Sequence, residues 1–329
     1  MNQRDRLEEA SALDYLGIDV GKFELHVALL QGDKTAKKSV ANNEAGFEQI
    51  VKWLKNRKAE NVHVCMEATG IYGVAVAEYL YDRALRISVV NPGQIKAFGK
   101  SELLRTKTDD VDAALIARFC RAHRPSAWSP PAPHIRKLRA LIRRRETLSA
   151  MIVAERNRLE AYPTPEVRRS IKAVIDSLTL EMETLEREID DHANNNPDLR
   201  SKIDRLDEIP GFGALTAMKV IAETNDFEVC KTAKEIVAFA GLNPRIYSSG
   251  TIVRRAGISK IGNSALRKAL YFAALSAKNR SAYFRPFVDR LKAAGKPPKV
   301  IITAIMRKLL VLAFTISRSG SAFQATFAA

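Results

Sequence analysis

A chain of 329 residues is too long for one ordinary core and points to two or three folding units. Its 46% hydrophobic and 27% charged residues are a globular balance, which excludes disordered, collagen-like and disulfide-scaffold classes. The net charge of +16 points to a polyanionic partner, nucleic acid or an anionic membrane.

The chain opens MNQRDRLEEASALDY, a charged extension without the apolar centre of a signal peptide. DYLGIDVG and FELHVALL are β-branched, apolar runs joined by Gly-Lys, as in a hairpin, and KKSVAN offers a third strand. Phe47, Ile50, Val51 and Leu54 recur at helical spacing over 43–58. NVHVCMEA reads as a buried strand followed by Thr69-Gly70, 74–81 as a helix, and RISVVNP as a strand stopped by Asn91-Pro92. A helix is expected over 108–121, with Val111, Leu115, Ile116 and Phe119 apolar. This alternation predicts an α/β domain over residues 1–125.

SAWSPPAPH, residues 126–134, marks a linker. Two long helical patterns follow, broken at Pro163 and Pro165. In the second, Ile171, Ile175, Leu178, Met182, Leu185 and Ile189 step by 4, 3, 4, 3, 4, a coiled-coil seam. It can close as a hairpin or pair between subunits, and a role in dimer formation is expected. Residues 126–200 therefore read as linker and coiled coil. Residues 201–329 read as mainly helical, with a loop-rich stretch from Gly241 to Gly262. The apolar run from Val300 to Ser317 is interrupted by Arg307 and Lys308, which predicts a buried helix and no membrane span.

Charge is unevenly placed. Residues 1–125 carry net +2, 126–200 net +1 and 201–329 net +13, so the polyanion is expected on the C-terminal region. The three cysteines, Cys65, Cys120 and Cys230, form no CxxC pair, which excludes a zinc ribbon and fits a reducing cytoplasm.

Five motifs have chemical potential. GIDVGK places Asp19 inside an apolar strand, where a carboxylate is costly unless a cation meets it. The same motif resembles the phosphate loop of actin-like ATPases and sugar kinases. CMEATG places Glu67 at the carboxyl end of a buried strand, where α/β sheets collect their sites. In KTDDVDA, Asp109 and Asp112 share one helix face and Asp110 is expected to point elsewhere. First-turn acids also suit a helix dipole capped by Thr108, which accounts for Asp112 less well. Four acids with no His or Cys suit magnesium, which can clamp a phosphoryl centre. The strand order and the acid on the first strand resemble the RNase H fold. IPGFGALTAMKVIAE, 209–223, resembles a helix–hairpin–helix element, with an ordinary Gly-rich turn as the plainer reading. AGLNPRIYSSGTIVRRAGISKIGNSALRKAL, 240–270, sets Ser248 and Ser249 in an expected loop among Arg245, Arg254, Arg255, Lys260, Arg267 and Lys268. A lone SSG is ordinarily a β-turn, whereas these cations suit nucleic-acid phosphate.

GIDVGK, MEATG, KTDDVDA, IPGFGALTA and FAGLNPRIYSSG, in this order, resemble the DEDD-type insertion-sequence transposases, also described as bridge-RNA-guided serine recombinases. The resemblance implies a RuvC-like N-terminal domain of RNase H-like fold, a coiled-coil connector and a mainly α C-terminal transposase domain. It places the family's four metal-binding acids on Asp19, Glu67, Asp109 and Asp112, and its nucleophile on Ser249. It further implies Mg2+, donor and target DNA, a noncoding guide RNA, and dimers that assemble into tetramers on DNA. A resolvase-type nuclease using water as nucleophile is the main alternative. An actin-like kinase leaves the basic C-terminal third unused, and a non-catalytic DNA-binding protein leaves the four acids unused.

Overall fold

The apolar runs over residues 14–41 form three antiparallel strands, β1 (Asp14–Val20), β2 (Glu24–Gln31) and β3 (Lys34–Ala41). The structure is a computed structural model. It describes residues 13–68, 70, 72–103, 108–249 and 252–324, and only the backbone of 246–249 and 252–256. The charged extension before Leu13, Thr69, Lys107 and Gly250 lie outside the described residues. The chain divides into two units, residues 1–130 and 131–329.

In the first unit, helix α1 (Glu44–Asn56) follows β3, and its N-cap Asn43 accepts from the Gly46 amide at 3.0 Å. Strand β4 (Val62–Glu67) lies parallel to β1, and β5 (Arg86–Val90) parallel to β4. The sheet order is β3-β2-β1-β4-β5. Helices α1 and α2 (Val74–Tyr81) cover one face, where Phe47, Ile50, Val76 and Leu80 meet Leu16, Ile18, Val64 and Met66. Helices α3 (Pro92–Ser101) and α4 (Asp109–His123) cover the other, where Ile95, Leu115, Ile116 and Phe119 meet Tyr15, Cys65 and Val90. Each large apolar side chain buried in this way is worth about 1.5–3 kcal/mol.

The second unit begins with two long helices, α5 (Pro133–Ala161) and α6 (Pro165–Asn194), each with proline in its first turn, where no amide is lost. They fold back as an antiparallel hairpin. Arg145 pairs with Glu186, and His192 Nε2 meets the His134 carbonyl at 2.8 Å. In the seam, Ile171, Leu185 and Ile189 are buried, while Ile175, Leu178 and Met182 are half-buried. Ile135, Leu138, Ile142, Leu148, Leu185 and Ile189 share one apolar core with the helices that follow.

Those helices are α7 (Pro197–Asp207), α8 (Ala214–Glu223), α9 (Ala233–Phe239), α10 (Ser264–Arg280), α11 (Arg285–Ala293) and α12 (Pro298–Ser319). By length and composition α12 could cross a membrane, yet Ile305, Leu309, Ala313 and Ile316 are fully buried in the core and Arg307 faces out. The stretch expected to be loop-rich contains an antiparallel pair, β6 (Pro244–Ser249) and β7 (Ile252–Ile258). Ile246, Tyr247, Ile252 and Val253 are strand formers on either side of a Ser-Gly turn signal, and two paired runs satisfy backbone groups that a loop would leave to water.

Candidate functional site

The first cluster lies at the carboxyl end of the β1–β4 pair. The parallel register sets Ile18 beside Met66, so the next positions, Asp19 and Glu67, are neighbours at adjoining strand ends. Leu16, Ile18 and Val20 fill the core under α1 and α2, so alternation turns Asp19 to the face under α4.

Helix α4 lies flush on β1 at Gly17. A Cβ at that glycine would meet the Ala113 carbonyl oxygen at 2.1 Å and the Ala117 nitrogen at 2.4 Å. Only a glycine admits this approach, and the approach brings the first turn of α4 over Asp19. That turn carries Asp109, Asp110 and Asp112 behind the N-cap Thr108, whose Oγ1 accepts from the Val111 amide at 3.3 Å. The dipole and the acidic cluster therefore use the same residues.

Asp19 is half-buried, and its carboxyl is held above its ordinary value. Burial is the largest cause, followed by repulsion from Asp112 and Asp109; His26 and the Val20 amide act in the opposite sense. His26 is Asp19's cross-strand partner on β2. Its Nε2 lies 3.6 Å from Asp109 and 3.8 Å from Glu24, and its Nδ1 lies 3.3 Å from Asp110 and 2.9 Å from Ser39 Oγ. The expectation that Asp110 points elsewhere is thus corrected: Asp109 and Asp110 both turn to the His26 imidazole. Sequence reading passed over His26, although the hairpin pairing and strand alternation place it on the face of Asp19.

The donor set suits a hard divalent cation in its chemistry: Asp109 and Asp112 lie near enough to Asp19 to disfavour its charged form. The arrangement is more open than the sequence leads one to expect. Among the described residues, no three His, Cys, Asp or Glu side chains form a group that would hold one ion.

The second cluster is the β6–β7 hairpin. Ser249 pairs with Ile252 and Ser248 with Val253, so both serines are strand residues, a correction to the expected loop. Arg254 and Arg255 lie on β7 opposite Tyr247 and Ile246. The side chains of Ser248, Ser249, Arg254 and Arg255 lie outside the described ones. Arg245 sits where the register shifts between Pro244 and Ile246. Lys260 and Lys268 are exposed. Arg267, in contrast, is engaged: its Nη1 donates to the Ala240 carbonyl at 3.0 Å and to the Gly262 carbonyl at 3.1 Å.

Arg267 belongs to a clamp at the hairpin's base. The Lys260 amide donates to the Gly241 carbonyl at 3.1 Å, and the Asn263 amide to the Phe239 carbonyl at 2.8 Å. Gly262, at φ +139°, has no room for a Cβ, which would meet the Phe239 oxygen at 2.3 Å. Asn263 caps α10 through Oδ1 and donates from Nδ2 to Glu223 at 2.7 Å. Glu223 ends α8, is buried, and also accepts from Arg143 Nε at 3.3 Å, while Arg139 Nε donates to the neighbouring Ala222 carbonyl at 2.7 Å. A carboxylate at a helix C-terminus opposes the dipole, so these partners are what hold it there. Nothing in the sequence singles out Glu223.

The stretch read as helix–hairpin–helix-like does join α7 to α8. Its Gly211, at φ +96°, packs on α10, where a Cβ would meet the Ala273 oxygen at 2.5 Å. This glycine serves helix packing.

A family profile for DEDD-type IS110 transposases, described as a transposase, matches residues 16–162, and one described as the transposase IS116/IS110/IS902 family matches residues 203–289. The pilin gene-inverting protein of Moraxella bovis is 32% identical, over 94% of this chain and 97% of its own length. The putative transposase y4qE of Sinorhizobium fredii is 24% identical over 93% of this chain and 89% of its own. A solved structure of T. thermophilus RuvC in complex with a Holliday junction substrate is 14% identical, covering 35% of this chain and 99% of its own, with a TM-score of 0.27. That likeness is too slight to add to the argument.

Proposed function

The chain belongs to the IS116/IS110/IS902 transposase family, whose members act on DNA as enzymes, and from that premise we propose that it cuts and rejoins DNA strands through a serine–DNA ester. Ser249 Oγ attacks the phosphorus of a phosphodiester. A P–O bond to one deoxyribose breaks, and the leaving sugar oxygen takes up the proton that the serine gives up. A sugar hydroxyl of a second strand then attacks the ester, re-forms a phosphodiester and returns the proton to the serine. Bonds and charge balance over the two steps, so no energy-supplying co-substrate is needed.

The metal-assisted part of this reading is supported by the close approach of α4 to β1 at Gly17, which brings Asp109 and Asp112 towards Asp19 and disfavours its charge. Asp19, Glu67, Asp109 and Asp112 would hold Mg2+, which supplies positive charge against the reacting phosphate. Arg245, Arg254, Arg255, Lys260 and Lys268 bind DNA phosphate, and Arg267 holds the loop that orients them. The order β3-β2-β1-β4-β5 with an acid ending β1 supports an RNase H-like, RuvC-like first unit.

A structured noncoding RNA that pairs with donor and target would choose the sites; the net +13 of residues 201–329 supports a second polyanion. A second copy meeting the α5–α6 hairpin is supported by exposed Met151, Val153, Val174 and Leu180 along it. The same chemistry serves insertion or inversion, and the name of the Moraxella relative makes inversion an outcome to assay.

Suicide DNA substrates with magnesium test the proposal. Wild type accumulates a protein–DNA adduct, Ser249→Ala binds DNA and forms none, and Ser248→Ala still forms it. Cleaved DNA without any adduct, persisting in Ser249→Ala, would identify water as the nucleophile.

A further inference from the structure

Helix α10 buries Leu266, Ala269, Leu270, Ala273, Ala274 and Ala277 in the core. At 100° per residue, Lys268, Tyr271, Phe272 and Lys278 share the side away from these residues, with Leu275 among them partly buried against the core. Tyr271 is 42% exposed and Phe272 62%, and their rings meet edge to face with centroids 5.7 Å apart. The helix contains Arg267, Lys268, Lys278 and Arg280 and no acidic residue.

Two adjacent aromatic rings left in water between lysines define the partner by chemistry. Ring faces stack on bases, and ammonium groups meet phosphates. In duplex DNA the base faces are already stacked on one another, so this side suits unpaired strands. A second copy of this chain would bring an equally basic face against it, which charge disfavours.

We propose that the exposed face of α10 binds unpaired DNA, with bases stacked on Tyr271 and Phe272 and phosphates held by Lys268 and Lys278. This rests on the DNA-acting part of the proposed function and is independent of the serine and the acids. Strand exchange exposes such unpaired segments at cut ends.

The test uses the full chain, with fluorescence anisotropy on labelled oligo-dT, a duplex of the same length, and oligo-U. Tyr271→Ala with Phe272→Ala should weaken oligo-dT binding by roughly tenfold or more, the scale of one lost base stack, and leave duplex binding and oligomeric mass unchanged. Phe272→Trp should retain binding, and its added indole emission should be quenched by oligo-dT. Equal losses on duplex and single strand, unchanged oligo-dT binding, a loss confined to oligo-U, or a fall in oligomeric mass would each overturn the proposal. An adduct-forming wild type that ignores oligo-dT sinks this inference alone. A wild type that binds oligo-dT through these rings but forms no adduct sinks only the serine chemistry.

Discussion

Asp19 and Glu223 are both carboxylates drawn out of bulk water, and the protein treats them in opposite ways. Glu223 is 8% exposed and meets Arg143 and Asn263. Asp19 is half-buried and is repelled by Asp109 and Asp112, with His26 as a partial offset. A buried acid surrounded by cations and amides is architecture, because removing it strands its partners. A buried acid surrounded by other acids costs stability and gains from any cation brought to it. The contrast separates the residue that holds the serine hairpin's base from those proposed to act on phosphate.

The largest effect tests that separation directly. Asp19→Asn should abolish strand exchange while the protein unfolds at an equal or higher urea concentration than wild type. Simultaneous loss of activity and stability would make Asp19 architectural. Glu223→Ala should show the reverse order of effects, with a loss of about 2–4 kcal/mol in urea unfolding. That is set below the full cost of breaking a buried pair, because Arg143 is half exposed. Glu223→Gln keeps an acceptor for Asn263 and should recover part of the stability and of the exchange activity together.

pH and magnesium sharpen the same contrast. With its folded pKa raised above the ordinary 3.8, Asp19 contributes stability that is fully present below that value and lost as pH rises through the folded pKa. Asp19→Asn should therefore be more stable than wild type at pH 7, and the two should converge below about pH 3.8. Magnesium should raise the Tm of wild type at pH 7 and leave that of Asp19→Asn nearly unchanged; an equal rise in both would remove the metal from this site.

The smallest effect comes from His63, buried on β4, with Nε2 2.8 Å from Ser88 Oγ and its pKa pushed down to about 4 by burial. It stays neutral in the folded chain while the unfolded chain takes up a proton. Stability should fall as pH drops from 6.5 towards 4, and His63→Gln should flatten that part of the urea-unfolding profile.

Part of this is legible in the sequence. The apolar runs of β1 and β2, the helical spacing around Ile50 and the periodicity of α6 are local patterns, and each formed the strand or helix expected. Asp19, Glu67, Asp109 and Asp112 stood out because charge inside an apolar run is conspicuous. The serine hairpin reads as loop in the sequence because Gly250 and the two serines are strong turn residues that interrupt the β-branched runs on both sides.

What the sequence by itself determined is therefore whatever depends on near neighbours: element type, the helical periodicity of α6 and the concentration of basic charge after residue 200. Only the tertiary structure decided that β4 lies beside β1, that Gly17 lets α4 settle on the sheet, that His26 meets Asp109 and Asp110, and that Glu223 reaches Asn263 and Arg143. The physical reason is distance along the chain. His26 and Asp110 are 84 residues apart, and Arg143 and Glu223 are 80 apart. No periodicity reports a meeting over such separations, because the partners are chosen by the packing of whole elements and not by the residues on either side of them.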